Sequence, residues 1–383
     1  MARIALAHDW LVARRGGELV LDRIIRALSN AHELTTIYTM FDSEQPITAA
    51  IDAMPRRVAR LGRLPIISSR ARRWLFPLYP SAVADLSRQL ARDHDSQPID
   101  LLISTSSAAT KGMRPPPTAQ TAVPHLCYCH SPARYAWARS ADYAGNPLRA
   151  LGLRVYSPHF RRWDRRTAAH VTRFLANSSH IAAEIRRCYD RDAEVLHPPV
   201  RTDAFTPSDN TARTHRWLVV AALEPYKRTD LAIEAAAITG APIDIVGTGS
   251  ELTSLQRLAD RTGADATFHG RLGDAALQDM FRRARLLVFP QVEDFGIVAV
   301  EAQACGTPIV ARAAGGALDS VIDGETGALF DEPTAEAIAR AAAACPTPDV
   351  CAQACTTNAA RFSEARFDSS LRRHVDSLLA DRR

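Results

Sequence analysis

Two glutamates, Glu293 and Glu301, stand on either side of the point where an apolar strand pattern gives way to a helical one. The strand pattern is Leu286-Leu287-Val288-Phe289, ended by Pro290, and a helix is expected from about Gly296 with Ile297, Val300 and Ala304 on one face. Gly296 lets the backbone approach a ligand closely, and the free N–H groups of a helix's first turn attract anionic oxygens. Glu293 would then sit in the loop above that anion site. Glu301, one turn in and on the same side as Ile297, could accept two hydrogen bonds from a vicinal diol such as a ribose. A phosphate cradle with a carboxylate at each end suits a nucleotide-sugar. The plainer alternative is a solvated glutamate and an acidic residue that favours the helix dipole.

Transferring a sugar requires a leaving diphosphate to be stabilised, the sugar to be held and an acceptor hydroxyl to be admitted. Lys227, after Pro225-Tyr226 and just before a helical pattern, is the candidate for the diphosphate, because cation contact on developing negative charge contributes several kcal/mol. Only two of the 47 basic residues are lysines, Lys111 and Lys227. A chain that otherwise uses arginine has kept a compact point charge here. Arg228 would add a second charge, and positive charge at a helix start opposes the dipole, which weighs against plain solvation. Gly16-Gly17, after the first strand and opening a helix, can bring backbone N–H groups to the same diphosphate. Gly247-x-Gly249 lacks a third glycine at dinucleotide spacing and reads as a strand-end turn lining the nucleotide pocket. His130 ends a strand and precedes Ser131-Pro132, so it stands at a cleft edge or is a half-buried structural histidine. Asp93-x-Asp95 and Asp190-x-Asp192 do not follow apolar strands, and the cysteines lack zinc-site spacing. No metal and no other cofactor is expected.

These residues need a scaffold, and the chain supplies an α/β pattern in which short apolar runs alternate with helices. In the first half the strands are expected at 4–7, 34–38, 101–104, 126–128, 173–176 and 194–196. Pro198-Pro199 makes a stiff connector and a plausible hinge. The pattern then restarts, with strands at 217–221, 243–246, 266–268, 286–289 and 309–311 and a helix at 229–238. Two Rossmann-like domains with parallel sheets follow, residues 1–198 and 199–361, with a last helix at 362–379. Ligands bind outside the C-terminal ends of such strands, so both domains should contribute to a cleft.

Further stretches match a known family. Glu293-Asp294-Phe295-Gly296-Ile297, Glu301-Ala302-Gln303-Ala304-Cys305-Gly306-Thr307-Pro308 and Gly315-Gly316 resemble motifs of family 4 of the retaining glycosyltransferases, which have the GT-B fold. So do His8-Asp9-Trp10-Leu11, Gly16-Gly17-Glu18, Cys127-Tyr128-Cys129-His130-Ser131-Pro132, Asn177-Ser178-Ser179, His197-Pro198-Pro199-Val200 and Pro225-Tyr226-Lys227-Arg228. The motifs run in family order over roughly residues 3–370. The branch they most resemble is that of bacterial mannosyltransferases of surface-polysaccharide assembly. The resemblance implies that His130 and Glu293 face the donor sugar, that Glu301 holds the ribose, and that the backbone of Phe295, Gly296 and Ile297 meets sugar hydroxyls and phosphate. It also implies that the C-terminal helix crosses back to the first domain. The implied reaction is front-face and retaining, unlike the hydrolases whose paired carboxyls flank the bond. Many family members carry an arginine five residues before the lysine, where this chain has Ala222. The second phosphate contact then falls to Arg228 or to Arg271.

Composition bounds the rest. At 383 residues, 46% hydrophobic and 23% charged, the chain suits two ordinary globular domains. It begins in a strand pattern without the features of a signal peptide, and seven cysteines without scaffold density fit a reducing, cytoplasmic setting. Residues 1–198 hold 28 Lys and Arg against 17 Asp and Glu, while the remainder holds 19 against 25. The stretch from Arg56 to Arg92 has nine arginines, one acid (Asp85) and interleaved Leu61, Leu64, Ile66, Ile67, Trp74, Leu75, Phe76 and Leu78. Such a mixture suits an anionic membrane surface or a lipid diphosphate, at the inner face of the cell membrane. Nucleic acid is not expected, since no binding module accompanies the charge. The expected activity is transfer of a hexose, mannose from GDP-mannose, to a lipid-linked saccharide or lipid. The alternatives are a nucleotide-sugar 2-epimerase of the same fold and a non-catalytic sugar-nucleotide-binding subunit.

Overall fold

The computed structural model describes residues 1–63, 71–118, 122–137, 147–208 and 210–381. The chain divides into two compact units, Met1–His197 with Phe367–Arg383, and Pro198–Arg366.

In the first unit seven parallel strands run β1 (Arg3–Leu11), β2 (Glu33–Asp42), β3 (Arg56–Val58), β4 (Leu101–Ser106), β5 (His125–Cys129), β6 (Arg173–Ala176) and β7 (Ala193–Val195). Their order across the sheet is β3-β2-β1-β4-β5-β6-β7, so the sheet grows outward in both directions from β1 and β4. Ile4-Ala5-Leu6-Ala7 is buried without a break, as a central parallel strand covered on both faces must be. The pleat sends Ile4 and Leu6 to one layer with the helix Gly16–Leu28, and Ala5 and Ala7 to the other with the helix Tyr79–Ser96. Phe367, Leu371, Val375 and Leu378, spaced along one stripe of the last helix (Glu364–Ala380), join the first of these layers.

The second unit repeats the plan with β8 (Trp217–Val220), β9 (Ile243–Val246), β10 (Ala266–Gly270), β11 (Leu286–Phe289), β12 (Ile309–Arg312) and β13 (Gly327–Phe330). The order is β10-β9-β8-β11-β12-β13, again all parallel. Trp217 and Val219 face one layer while Leu218 faces the other. In both units the strand order reverses beside the first strand, which is where ligands meet doubly wound sheets.

Several expectations change. β1 and β2 run past their apolar cores to Leu11 and Asp42, because Thr39 and Asp9 find partners inside the protein. β3 and β13 were not expected: each is a short strand at a sheet edge, β3 with two arginines in three residues and β13 opening on Gly327. The last helix starts at Glu364 rather than 362, after a separate helix, Pro348–Ala360.

The arginine-rich stretch is also less free than its composition implies. Arg56 pairs with Asp42 at 3.1 Å and Asp52 at 2.5 Å, Arg57 with Asp93 at 3.2 Å, and Arg88 approaches Asp85 at 3.6 Å. Phe76 is buried, and Leu61 and Leu75 pack half-buried against the same cluster. Leu64, Ile66, Ile67 and Arg70 lie outside the described residues, as does the side chain of Trp74.

Lys111 is structural. Its ammonium lies 2.7 Å from Asp164 Oδ1 and 4.3 Å from the centre of the Tyr189 ring, fully inside the first unit. The same carboxylate accepts from Trp137 Nε1 at 2.8 Å and Tyr189 OH at 2.9 Å. All seven cysteines are buried thiols.

Candidate functional site

In the second unit the loops after β8 and β11 meet. Lys227 ends a single tight turn, Pro225–Lys227, and Glu293 lies in the loop between β11 and the helix Ile297–Ala304. The Lys227 ammonium donates to Glu293 Oε1, and Gln291 Nε2 donates to the same oxygen at 3.1 Å. Lys227 is therefore not a bare cation awaiting a ligand: its charge is matched by a carboxylate 66 residues away in sequence. The Tyr226 ring lies 5.3 Å from the same ammonium.

Two glycine positions shape this loop. Gly296, at φ +91°, caps the helix in the left-handed region, and a Cβ there would lie 2.7 Å from the Phe289 ring. Gly315 and Gly316 lie against the backbone of 293–295: a Cβ at 315 would come within 2.3 Å of the Glu293 carbonyl oxygen, and Gly316 N–H donates to that oxygen at 2.9 Å. Phe295 turns its ring into the core, edge-on to Phe362 at 5.4 Å, so only its backbone could meet a ligand. Ile297 is the first residue of the helix proper.

Glu301, one turn further, is 8% exposed. Burial pushes its carboxyl up to about 7; Asp274 adds to the shift, and Arg201, 3.7 Å away, opposes it. Arg201 is itself held by Asp274 at 2.6 Å.

The other expected donor-site residues are placed differently. Arg228 adopts a left-handed backbone (φ +52°) and turns its guanidinium onto Asp230, two residues on, at 3.0 Å. Its charge is thus answered locally by Asp230. Arg271 is exposed on the loop after β10, two strands from β8 in the sheet. Gly247 ends β9 with its N–H donating to the Gly270 carbonyl at 2.7 Å, a strand-end turn packed against Ala221.

The first unit has its own cluster at the ends of β1, β4 and β5. Asp9, 1% exposed, accepts hydrogen bonds from the backbone N–H groups of Ser107, Ala108, Ala109 and Thr110 at 2.6–2.9 Å and from the Thr110 hydroxyl at 2.9 Å. The loop after β4 thus forms an anion nest filled by the chain's own carboxylate. His8 Nδ1 lies 2.6 Å from Thr105 Oγ1. His130 is fixed through its backbone, N–H to the Ser106 carbonyl at 2.8 Å and carbonyl from Asn177 Nδ2 at 3.0 Å. Burial lowers the His8 imidazole to about 4 and that of His130 to about 3. Gly17 lies against both rings, and Gly16 is exposed at the start of the helix Gly16–Leu28.

No functional role was expected from sequence for Asp9, His8, Gln291 or Tyr226. His8 and Asp9 were legible only as part of the family motif His8-Asp9-Trp10-Leu11, without a role of their own. Among the described residues no group of His, Cys, Asp and Glu side chains is placed to hold a metal ion, and no helix is long and apolar enough to cross a membrane. Asp93 and Asp192 are occupied by Arg57 and Arg186.

Residues 14–204 match the family model described as Glycosyltransferase Family 4, and residues 205–348 match that described as Glycosyl transferases group 1. The chain belongs to the family 4 glycosyltransferases. Relatives of this family 4 chain include the D-inositol 3-phosphate glycosyltransferase of Streptomyces scabiei, 34% identical over 229 residues, which are 52% of this chain and 51% of the relative. The protein of that name from Mycobacterium tuberculosis is 36% identical over 231 residues, 54% of this chain and 46% of the relative. The match thus spans about half the length of these relatives. Among solved structures, sucrose-phosphate synthase from Thermosynechococcus elongatus superposes with a TM-score of 0.73 at 19% identity over 100% of both chains. Anabaena HepE in complex with UDP gives 0.70 at 17% identity over 98% of this chain and 100% of that one. These likenesses show the fold: the two parallel-sheet units are those of a GT-B glycosyltransferase.

Proposed function

We propose that the protein is a retaining glycosyltransferase that moves a hexose from a nucleoside-diphosphate sugar to an acceptor hydroxyl. The observation that carries this reading is the Lys227–Glu293 contact in the loop leading to the helix Ile297–Ala304, with Glu301 buried one turn in. An ammonium has three N–H donors, so with one on Glu293 two remain for diphosphate oxygens. Glu293 keeps the lysine aimed, and the first turn of the helix offers backbone N–H groups to the same phosphates. Glu301 accepts from the ribose diol. The acceptor oxygen bonds to the anomeric carbon on the side from which the diphosphate departs. The sugar–phosphate bond breaks, and the departing phosphate oxygen takes the acceptor's proton.

Mannose from GDP-mannose, passed to a lipid-linked saccharide or lipid at the inner membrane face, is the finer reading that the sequence motifs favour. Exposed Arg63, Arg92 and Leu78 would supply the contact with anionic lipid. The comparisons favour a second reading, a UDP-sugar and a polyol phosphate, since the relatives are named for D-inositol 3-phosphate and HepE was solved with UDP-glucose. Melting the protein with GDP-mannose or UDP-glucose at one shared concentration separates the two, since a donor at about a hundred times its dissociation constant adds about 2.7 kcal/mol and a weaker one adds less. GDP-mannose is expected to raise the melt more; a larger rise with UDP-glucose would replace the first reading with the second. Lys227→Ala should cut transfer about 10²–10³-fold. Unchanged transfer in Lys227→Ala and Glu293→Ala would instead point to a non-catalytic binding subunit.

A further inference from the structure

His8 and His130 present their Nε2 edges to one point. A Cβ built on Gly17 would lie 3.5 Å from His8 Cε1, 3.9 Å from His8 Nε2 and 3.7 Å from His130 Nε2. Those are ordinary contact distances, and Gly17 has ordinary helical backbone, so the fold itself would accept alanine there. What alanine would remove is the open space between the two imidazole edges and the first turn of the helix Gly16–Leu28.

The polar atoms around that space have no use within the protein. His130 Nε2 is shielded and has no hydrogen-bond partner. His8 is 4% exposed, and its one side-chain partner, Thr105 Oγ1, is on Nδ1. Thr105 Oγ1–H can donate to the Ala7 carbonyl at 3.5 Å, which leaves its oxygen to accept from His8 Nδ1–H. In that tautomer His8 Nε2 carries a lone pair. The nearby charge of Asp9 is already saturated by four backbone N–H groups. A lone pair on His8 Nε2 calls for a ligand atom with a hydrogen to give.

We infer that His8 is a specificity-determining residue whose Nε2, beside His130 and Gly17, accepts a hydrogen bond from a sugar or polyol hydroxyl of a substrate. This rests on the proposed glycosyl transfer. The hydroxyl belongs to the transferred sugar or to the acceptor, and the chemistry is the same in either.

Glutamine places a side-chain amide where Nε2 stands, while asparagine places one where Nδ1 stands. His8→Gln, His8→Asn and Gly17→Ala are therefore compared with the wild type. Dissociation constants are measured for GDP-mannose and UDP-glucose against GDP and UDP, and KM for D-inositol 3-phosphate as the acceptor probe. His8→Asn should weaken one of these substrates about tenfold, with free-nucleotide binding and melting temperature unchanged, and Gly17→Ala should weaken the same substrate, while His8→Gln stays within about threefold of wild type. Loss confined to the nucleotide-sugars assigns the hydroxyl to the transferred sugar; loss confined to KM for the acceptor assigns it to the acceptor. Retention in His8→Asn with loss in His8→Gln would reduce His8 to an anchor on Thr105 and overturn the inference. So would equal values in all variants, or equal loss in both His8 variants. A wild-type protein that binds neither nucleotide-sugar overturns the transfer reading itself, a result visible before any variant is made.

Discussion

Glu301 sets the pH behaviour at the residue scale. Its carboxyl, raised by burial from 4.5 to about 7, keeps more proton in the folded chain than in the unfolded one between those values. The contribution of Glu301 to ligand-free stability therefore falls as pH rises through that window and levels off above it, opposite in sign to those of the buried His8 and His130. The difference between wild type and Glu301→Gln in urea titrations from pH 4.5 to 8 should reach about 3 kcal/mol at most. In the proposed function the ionised form holds a pentose diol, so donor affinity is expected to rise from pH 6 to 8 in the wild type and stay flat in Glu301→Gln. Calorimetry in two buffers of different ionisation enthalpy would show the matching proton release at pH 7. A flat wild-type profile would remove Glu301 from the binding role.

At the scale of elements, what the sequence made legible were the strands whose partners are generic. Ile4–Ala7, Arg173–Ala176, Ile243–Val246 and Leu286–Phe289 declare themselves because both faces of a parallel strand must be apolar. β3 is hidden because its arginines are held by aspartates supplied from β2, the turn helix after it and the helix Tyr79–Ser96. The site shows the same division. Gly296, Glu293 and Lys227 were legible as types, but the ion pair joining two of them depends on how β8 and β11 lie side by side. Asp9 depends on backbone groups about 100 residues away. Lys111 is a further case, since its rarity drew notice while its buried carboxylate partner stands in another helix. Lys111→Met should cost about 3–5 kcal/mol by leaving Asp164 a buried charge without its cation, while adding Asp164→Asn, which keeps an acceptor for Trp137 and Tyr189, should recover much of that loss. Chemical denaturation of both variants checks the pair.

For the whole molecule, the division at residues 197 and 367 matters most. The first unit draws Phe367, Leu371, Val375 and Leu378 from the far end of the chain into the layer that holds Ile4 and Leu6. Each such side chain is worth about 1.5–3 kcal/mol on burial. A chain cut after residue 363 should therefore expose an apolar face and expand, read as dye binding and loss of a cooperative melt. A cooperative melt equal to that of the full chain would show the helix to be dispensable.

A ribosome would release this polypeptide in an order that its cores do not follow. The segment made first must wait, with one layer uncovered, until the codons for Glu364–Ala380 are read, while the segment made second has every strand it needs beforehand. Synthesis thus leaves the earliest-born lobe the last to close.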